Sequence, residues 1–366
     1  MNKIAKKPLV AMDISTAGRG GGPYVSNIRI MESGLKNKYD FKRIEYKAKI
    51  GSGISLRRIF DLKKQLLNLR PDIVHFTGLQ LSGFHLAVAC KLAHIKNSIL
   101  TVHGFSGDAI DFHPIKKIIL TYFLEPLTLL LTKRIYGVSK YVVSRRLVKL
   151  FNYKCDGIIY NFSPDAYRDV GGKSIREELN LLNSDILAVS VGRIIKDKGY
   201  HVLDAAILKL QIHSNLKFLI VGNGDYLETM RIKLKTQIEK KQVFFLGYRD
   251  DIQNILNGCD IFILPTFHET LSIALLEASV EGLALISSNT GGVPEIVENN
   301  YNGLLVSPGS VIDLVDAIDK LFNNDVLRKR FGENSKLRIM GHFSNISIEK
   351  KIDEIYFKML NHGSFK

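Results

Sequence analysis

Short, nearly continuous apolar runs punctuate the whole chain. In the first half they read PLVAMDI (8–14), FKRIEY (41–46), DIVHF (72–76), SILTVH (98–103), RIYGVS (134–139) and GIIYN (157–161). In the second half they read ILAVSVGR (186–193), KFLIVGNG (217–224), VFFLGY (243–248), IFILP (261–265), LALISS (283–288) and GLLV (303–306). Between them lie stretches with helical spacing, such as LRRIFDLKKQLLNLR (56–70) and SGFHLAVACKLAHI (82–95). Strands that are apolar on both faces and alternate with helices predict parallel sheets covered on both sides. Two such series predict two doubly wound α/β domains.

The turn-rich segment 161–174 is the natural boundary. The expected division is an N-terminal domain over 1–165 and a C-terminal domain over 166–342. A capped terminal helix over about 343–361 is expected to pack back on the first. The length of 366 residues agrees with two domains, and 46% hydrophobic residues supply the cores. Three widely spaced cysteines, none in a CxxC pair, make a disulfide framework or zinc ribbon the poorer reading and fit a reducing cytoplasm. The N-terminus lacks the apolar core of a signal peptide. The most apolar stretch, 118–131, is shorter than a membrane span and is interrupted by Glu125-Pro126.

Charge changes the picture. The net charge is +15, yet residues 1–165 hold 27 Lys and Arg against 11 Asp and Glu, so the whole excess lies in the first half. That half is expected to meet something acidic: an anionic membrane surface, nucleic acid or an acidic small molecule. Arg57, Arg58, Lys63 and Lys64 lie among leucines, and Lys116 and Lys117 precede the apolar stretch, a composition suited to an anionic membrane or acceptor surface. Two ordinary helices with solvated cations would read the same way. No recognised nucleic-acid module accompanies the charge, so no nucleic-acid partner is expected.

Candidate chemistry gathers at strand ends. Gly18 to Pro23 lies between the first strand and a helix, and its glycines admit close approach of an anion. VGRIIKDKG (191–199) offers Arg193 and Lys198 as a possible diphosphate clamp. VGNGD (221–225) and FLGYRDD (245–251) add loops with Gly222, Gly247, Tyr248 and Arg249. In HETLSIALLEAS (268–279), Glu269 precedes a helix expected to begin near Thr270 or Leu271, and Glu277 lies about two turns in. Asp108 and Asp111 have no further acids to complete a metal pair, and 171–174 lacks the first glycine of a P-loop, with Tyr167 in its place.

Taken together, these motifs resemble the family-4, or group 1, retaining glycosyltransferases of the GT-B fold. The Glu, seven residues, Glu signature reads Glu269 to Glu277, and the likeness continues through 277–310. Upstream, VGRIIKDKG, VGNGD and FLGYRDD stand in family order; GGPYVSN (21–27), TVHGF (101–105) and YGVSK (136–140) match more loosely. The resemblance implies two Rossmann-like domains facing a cleft and metal-independent, retaining sugar transfer without a cofactor. The donor is a nucleotide sugar, with a UDP-sugar expected, and the acceptor a glycan or lipid-linked hydroxyl. It implies a place in bacterial surface polysaccharide or lipopolysaccharide synthesis, in the cytoplasm and peripheral on the inner face of the membrane.

By the same resemblance, Arg193 and Lys198 hold the diphosphate and Glu277 the ribose hydroxyls. Glu269 faces the sugar. Backbone N–H groups of Leu271, Ser272 and Ile273 bind sugar and phosphate. Gly21 and Gly22 close over the diphosphate, and His103 lies near the reacting carbon. The family's usual glycine after the first glutamate's aromatic is missing, and Leu271-Ser272 replaces it. A GT-B epimerase or phosphorylase, or a basic nucleic-acid-binding protein, is the alternative.

Overall fold

The computed structural model describes residues 6–14, 21–45, 53–108, 113–165, 173–210 and 214–361. The glycines and arginine at 18–20, Asp111 and residues 166–172 lie outside the described residues. Two compact units are present: Met1–Phe162 with Asn345–Lys366, and Ser163–Ser344.

Each unit is built on a six-stranded parallel sheet. The first contains β1 (Leu9–Asp13), β2 (Asp40–Ile44), β3 (Ile73–Thr77), β4 (Ser98–Val102), β5 (Arg134–Gly137) and β6 (Cys155–Ile158), in the order β2-β1-β3-β4-β5-β6. The second contains β7 (Ile186–Val191), β8 (Leu216–Val221), β9 (Val243–Gly247), β10 (Ile261–Leu264), β11 (Ala284–Ser288) and β12 (Gly303–Val306), in the order β12-β11-β10-β7-β8-β9. Every strand expected from an apolar run is present. β3, β4, β10 and β11 are buried at every position, the mark of strands covered on both faces. In the second sheet the order reverses between β7 and β10, and such a switch point opens a crevice at the carboxyl ends of the two strands.

Two expectations change. Glu125-Pro126 does not break the apolar stretch: residues 114–131 form one helical run. Proline removes an N–H from the ladder, and the turn before it, Leu120–Leu124, widens to π spacing. The stretch just before the terminal helix, for which no element was expected, holds an 18-residue helix, Asp325–His342. Its apolar face is narrow, so periodicity hid it. Gly332 brings it against the helix Ile273–Glu281: a Cβ there would lie 2.1 Å from the Gly282 carbonyl oxygen.

The terminal helix Asn345–Asn361 packs on the first sheet through Ile348, Ile352, Ile355, Tyr356 and Met359, all buried. Each such side chain is worth about 1.5–3 kcal/mol when withdrawn from water. Polar contacts set its register. Gly34 N–H donates to Glu349 (2.9 Å), Tyr39 donates to Asp353 (2.8 Å), and the Tyr356 hydroxyl meets His75 Nδ1 at 2.6 Å. His75 Nε2 lies 2.7 Å from Thr101 Oγ1, so both ring nitrogens are satisfied in the core. Burial, with the nearby His103 imidazole, lowers the His75 pKa to about 3, which keeps the ring neutral.

Removing the Tyr356 hydroxyl leaves a buried ring nitrogen without that partner. Tyr356→Phe is expected to lower stability by about 1–3 kcal/mol in equilibrium urea unfolding. An unchanged midpoint and slope would show that the hydroxyl does not anchor the helix.

Candidate functional site

The second sheet builds a site from three successive loop contacts. After β7 the chain runs through Gly192 and the exposed Arg193 to Ile194, which is buried and donates its N–H to the Asn223 carbonyl at 2.9 Å. One turn of 3-10 helix, Lys196–Lys198, then ends at Gly199, whose φ of +76° suits glycine. A Cβ on Gly199 would lie 1.8 Å from the Pro265 carbonyl oxygen. Glycine therefore lets the loop after β7 touch the loop after β10. The two are joined further by the Asp197 carbonyl, which accepts from Phe267 N–H (3.0 Å) and Thr266 Oγ1 (3.3 Å).

Glu269 is fixed from two sides. Its carboxylate pairs with the Lys198 ammonium, and both side chains are mostly withdrawn from solvent. Its backbone carbonyl accepts from Gly292 N–H at 2.9 Å. Gly291 passes so close that a Cβ would stand 1.9 Å from that oxygen. Thr290 Oγ1 donates to the Phe267 carbonyl (3.1 Å), and the His201 ring stacks on Phe267 with centroids 5.3 Å apart. The first glutamate of the signature is thus held by a cation and by the loop after β11.

The helix carrying the second glutamate runs Ile273–Glu281, so it starts two residues after Leu271, the later of the two expected positions. The reason is Ser272: its backbone is extended and its hydroxyl accepts from Leu275 N–H at 3.2 Å, the geometry of an N-cap. Where the family usually has glycine, this chain has a capping serine. Glu277 consequently lies just over one turn into the helix rather than two. Leu271 is buried, so its side chain belongs to the core. The N–H groups of Ile273 and Ala274 open the helix and have no acceptor within it, and the helix dipole there favours an anion. Leu275, Leu276, Ala278 and Ser279 are buried, whereas Glu277 is only partly so.

The remaining donor-side candidates fare differently. Gly222 has a packing role: a Cβ would lie 1.9 Å from the Gly192 carbonyl oxygen, and its N–H donates to the Gly247 carbonyl at 2.7 Å. Gly247 has a positive φ of 66° with open space around it, and Tyr248 beside it is exposed. Arg249 is committed within the unit: its guanidinium forks onto Asp251 (2.7 Å to each oxygen) and Glu178 (2.7 and 2.9 Å). Those bonds hold the Asp251 pKa down to about 2.

His103, Gly21 and Gly22 belong to the first unit. Gly21 caps and Gly22 begins the helix Gly22–Glu32 after β1. His103 follows β4, and desolvation lowers its pKa to about 4, so its imidazole is neutral near pH 7. On the helix Leu56–Leu69, Arg57 and Lys64 are exposed and Lys63 is half-buried. Arg58 is buried, with Nη1 3.3 Å from His85 Nδ1, and drops out of any surface role. Lys116 is exposed and Lys117 half-buried on Pro114–Ile119. Among the described residues, no group of three or more His, Cys, Asp or Glu side chains is arranged to hold a metal ion. The contribution of Thr290, Gly291 and Gly292 was missed by sequence reasoning; a Gly-Gly pair two residues after the buried run LALISS was the available signal.

Residues 173–338 match the family described as glycosyl transferases group 1. The chain is 28% identical over 319 residues to the UDP-Gal:alpha-D-GlcNAc-diphosphoundecaprenol alpha-1,3-galactosyltransferase of Escherichia coli, covering 83% of this chain and 80% of that protein. It is 24% identical over 344 residues to the N,N'-diacetylbacillosaminyl-diphospho-undecaprenol alpha-1,3-N-acetylgalactosaminyltransferase of Campylobacter jejuni, covering 91% and 89%. Among solved structures, Anabaena HepE in complex with UDP-glucose superimposes with a TM-score of 0.75 at 16% identity, covering 96% of this chain and 99% of that one. The two doubly wound units and these likenesses make the chain a GT-B-fold protein related to the group 1 glycosyl transferases.

Proposed function

We propose that the chain transfers a sugar, with retention of configuration, from a UDP-sugar to a hydroxyl of a glycan or lipid-linked acceptor in bacterial surface polysaccharide or lipopolysaccharide synthesis. One observation carries the reading. At the switch point of the second sheet, Arg193, the Lys198–Glu269 pair and the start of the helix Ile273–Glu281 converge within the stretch that matches group 1. The names of the Escherichia coli and Campylobacter jejuni relatives support the donor and acceptor classes.

The chemistry follows from charge. As the bond from the sugar's anomeric carbon to the diphosphate breaks, the leaving oxygen gains negative charge. Arg193, Lys198 and the first N–H groups of the helix stabilise that charge most as it develops, which is the condition for acceleration. Lys198 is already positioned by Glu269, so little reorganisation is needed. Glu277 accepts from the ribose hydroxyls, and Glu269, clamped by Lys198 and Gly292, faces the sugar. The acceptor oxygen bonds to the anomeric carbon on the face the diphosphate leaves, and its proton passes to the departing phosphate.

The site makes a divided prediction. Arg193→Ala is expected to weaken UDP binding at least tenfold, about 1.4 kcal/mol or more, by titration calorimetry. Glu269→Gln is expected to keep UDP affinity within about threefold while cutting UDP release from the UDP-sugar by on the order of a hundredfold, the scale of a lost transition-state contact. Near-normal binding and turnover in both purified variants would sink the assignment.

The first unit is read as the acceptor side, peripheral on the cytoplasmic face of a membrane. Support comes from Arg57, Lys64 and Lys116, exposed beside large apolar side chains. Among the described residues no helix is long and apolar enough to cross a membrane. The protein is expected to sediment with anionic vesicles at low salt and to be released at high salt, since screening shortens the reach of such contacts. Failure to sediment at any ionic strength would remove the membrane from the account.

A further inference from the structure

Resting on the sugar-transfer reading above, we propose that His201 is a positioning residue: its ring, stacked on Phe267, sets the register between the loops that carry Lys198 and Glu269. Phe267 lies two residues before Glu269, and His201 lies three residues after Lys198 on the helix Tyr200–Lys209. The two rings are nearly parallel, at 7°, with centroids 5.3 Å apart, an arrangement that aromatic faces prefer when offset. The backbone of Phe267 is bonded on both sides. Its N–H donates to the Asp197 carbonyl, and its carbonyl accepts from Thr290 Oγ1. Gly309 stands against the ring, where a Cβ would lie 3.2 Å from a ring carbon. Phe267 is therefore the point at which the loops after β7, β10, β11 and β12 meet.

His201 is held by its ring contacts and not by a bond at Nδ1, which is buried with no hydrogen-bond partner among the described residues. Burial lowers its pKa, with Lys196 and Lys233 acting the same way against Asp204, so the ring is neutral near pH 7. Tyr226 packs against the imidazole in an edge contact, with centroids 6.2 Å apart, and donates its hydroxyl to the fully buried Asp204 at 2.6 Å. A line of packed groups thus runs from the core of the unit through Tyr226 and His201 to Phe267. The other donor-side features stand on separate supports. Arg193 precedes Ile194, which is bonded to Asn223, and the helix Ile273–Glu281 is capped by its own Ser272. Loosening the stack is therefore expected to spare donor binding and to disturb the geometry of the Lys198–Glu269 pair. Misplacing a group by an ångström can cost a factor of about a hundred in rate.

The test uses the full chain, the variants His201→Leu, His201→Phe and Phe267→Leu, and the double variant His201→Leu with Phe267→Leu, each checked for folding by its thermal midpoint. UDP release is followed with UDP-galactose, UDP-glucose or UDP-N-acetylgalactosamine, whichever the unaltered chain turns over fastest. His201→Leu is expected to lower kcat about tenfold or more while KM stays within about threefold. His201→Phe keeps the stack and is expected to stay within about threefold of the unaltered kcat. The double variant is expected to lose no more than about threefold beyond the worse single variant, because both changes remove one contact. Unchanged kcat in folded His201→Leu, or losses that multiply in the double variant, overturns the brace. A tenfold loss in folded His201→Phe overturns it whatever His201→Leu does, since an imidazole nitrogen would then be the acting group. Amide exchange over 266–270 without ligand reads the brace apart from activity. It is expected to quicken about threefold or more in His201→Leu and not in His201→Phe. If no UDP-sugar is turned over but exchange follows this pattern, the brace stands and the sugar-transfer reading falls. If turnover is seen and exchange does not change, the brace falls and the sugar-transfer reading stands.

Discussion

The ion pair between Lys198 and Glu269 ties together the two loops that leave the switch point of the second sheet. A mostly buried charge is costly unless it is paired, so each residue makes the other tolerable there. The pair does not act alone. The Asp197 carbonyl and the close passage of Gly199 under Pro265 lock the same loops through their backbones, and Gly291-Gly292 locks the glutamate to a third. The outcome is an ammonium held on the carboxylate that precedes the helix Ile273–Glu281. That is electrostatic preorganisation, and the proposed chemistry depends on it.

Most of this was legible in the sequence for a physical reason. Parallel strands covered on both faces must be nearly continuous apolar runs, and the ligand edge of such sheets lies where the runs end. The glycines and cations at 191–199 and the glutamate at 269 therefore advertised themselves by position. What the sequence hid were matters of partner choice. Arg249 carries the same charge as Arg193 and also stands at a strand end, but Glu178 and Asp251 consume it. Arg58 sits in a basic run, yet its turn of the helix faces inward toward His85. The helix start moved because a serine with extended backbone caps better than it propagates.

The two units divide the labour differently from the way their charge suggests. The nearly neutral second half carries the densest constellation of candidate ligands, because a diphosphate needs a few well-placed cations and aligned N–H groups, not a field. The basic excess of the first half lies in part on helices whose exposed faces mix lysine and arginine with large apolar side chains, the composition of a lipid-facing surface. The terminal helix Asn345–Asn361 completes that unit through the buried Tyr356–His75 contact. The first unit thus joins the two ends of the described chain.

The central claim is that the donor diphosphate lies at the carboxyl ends of β7 and β10. Amide hydrogen exchange with and without saturating UDP tests it most directly. The account predicts slowed exchange in 193–199 and in the first turn of the helix Ile273–Glu281, with little change elsewhere in the second unit. Saturated binding with no added protection in either segment would contradict it.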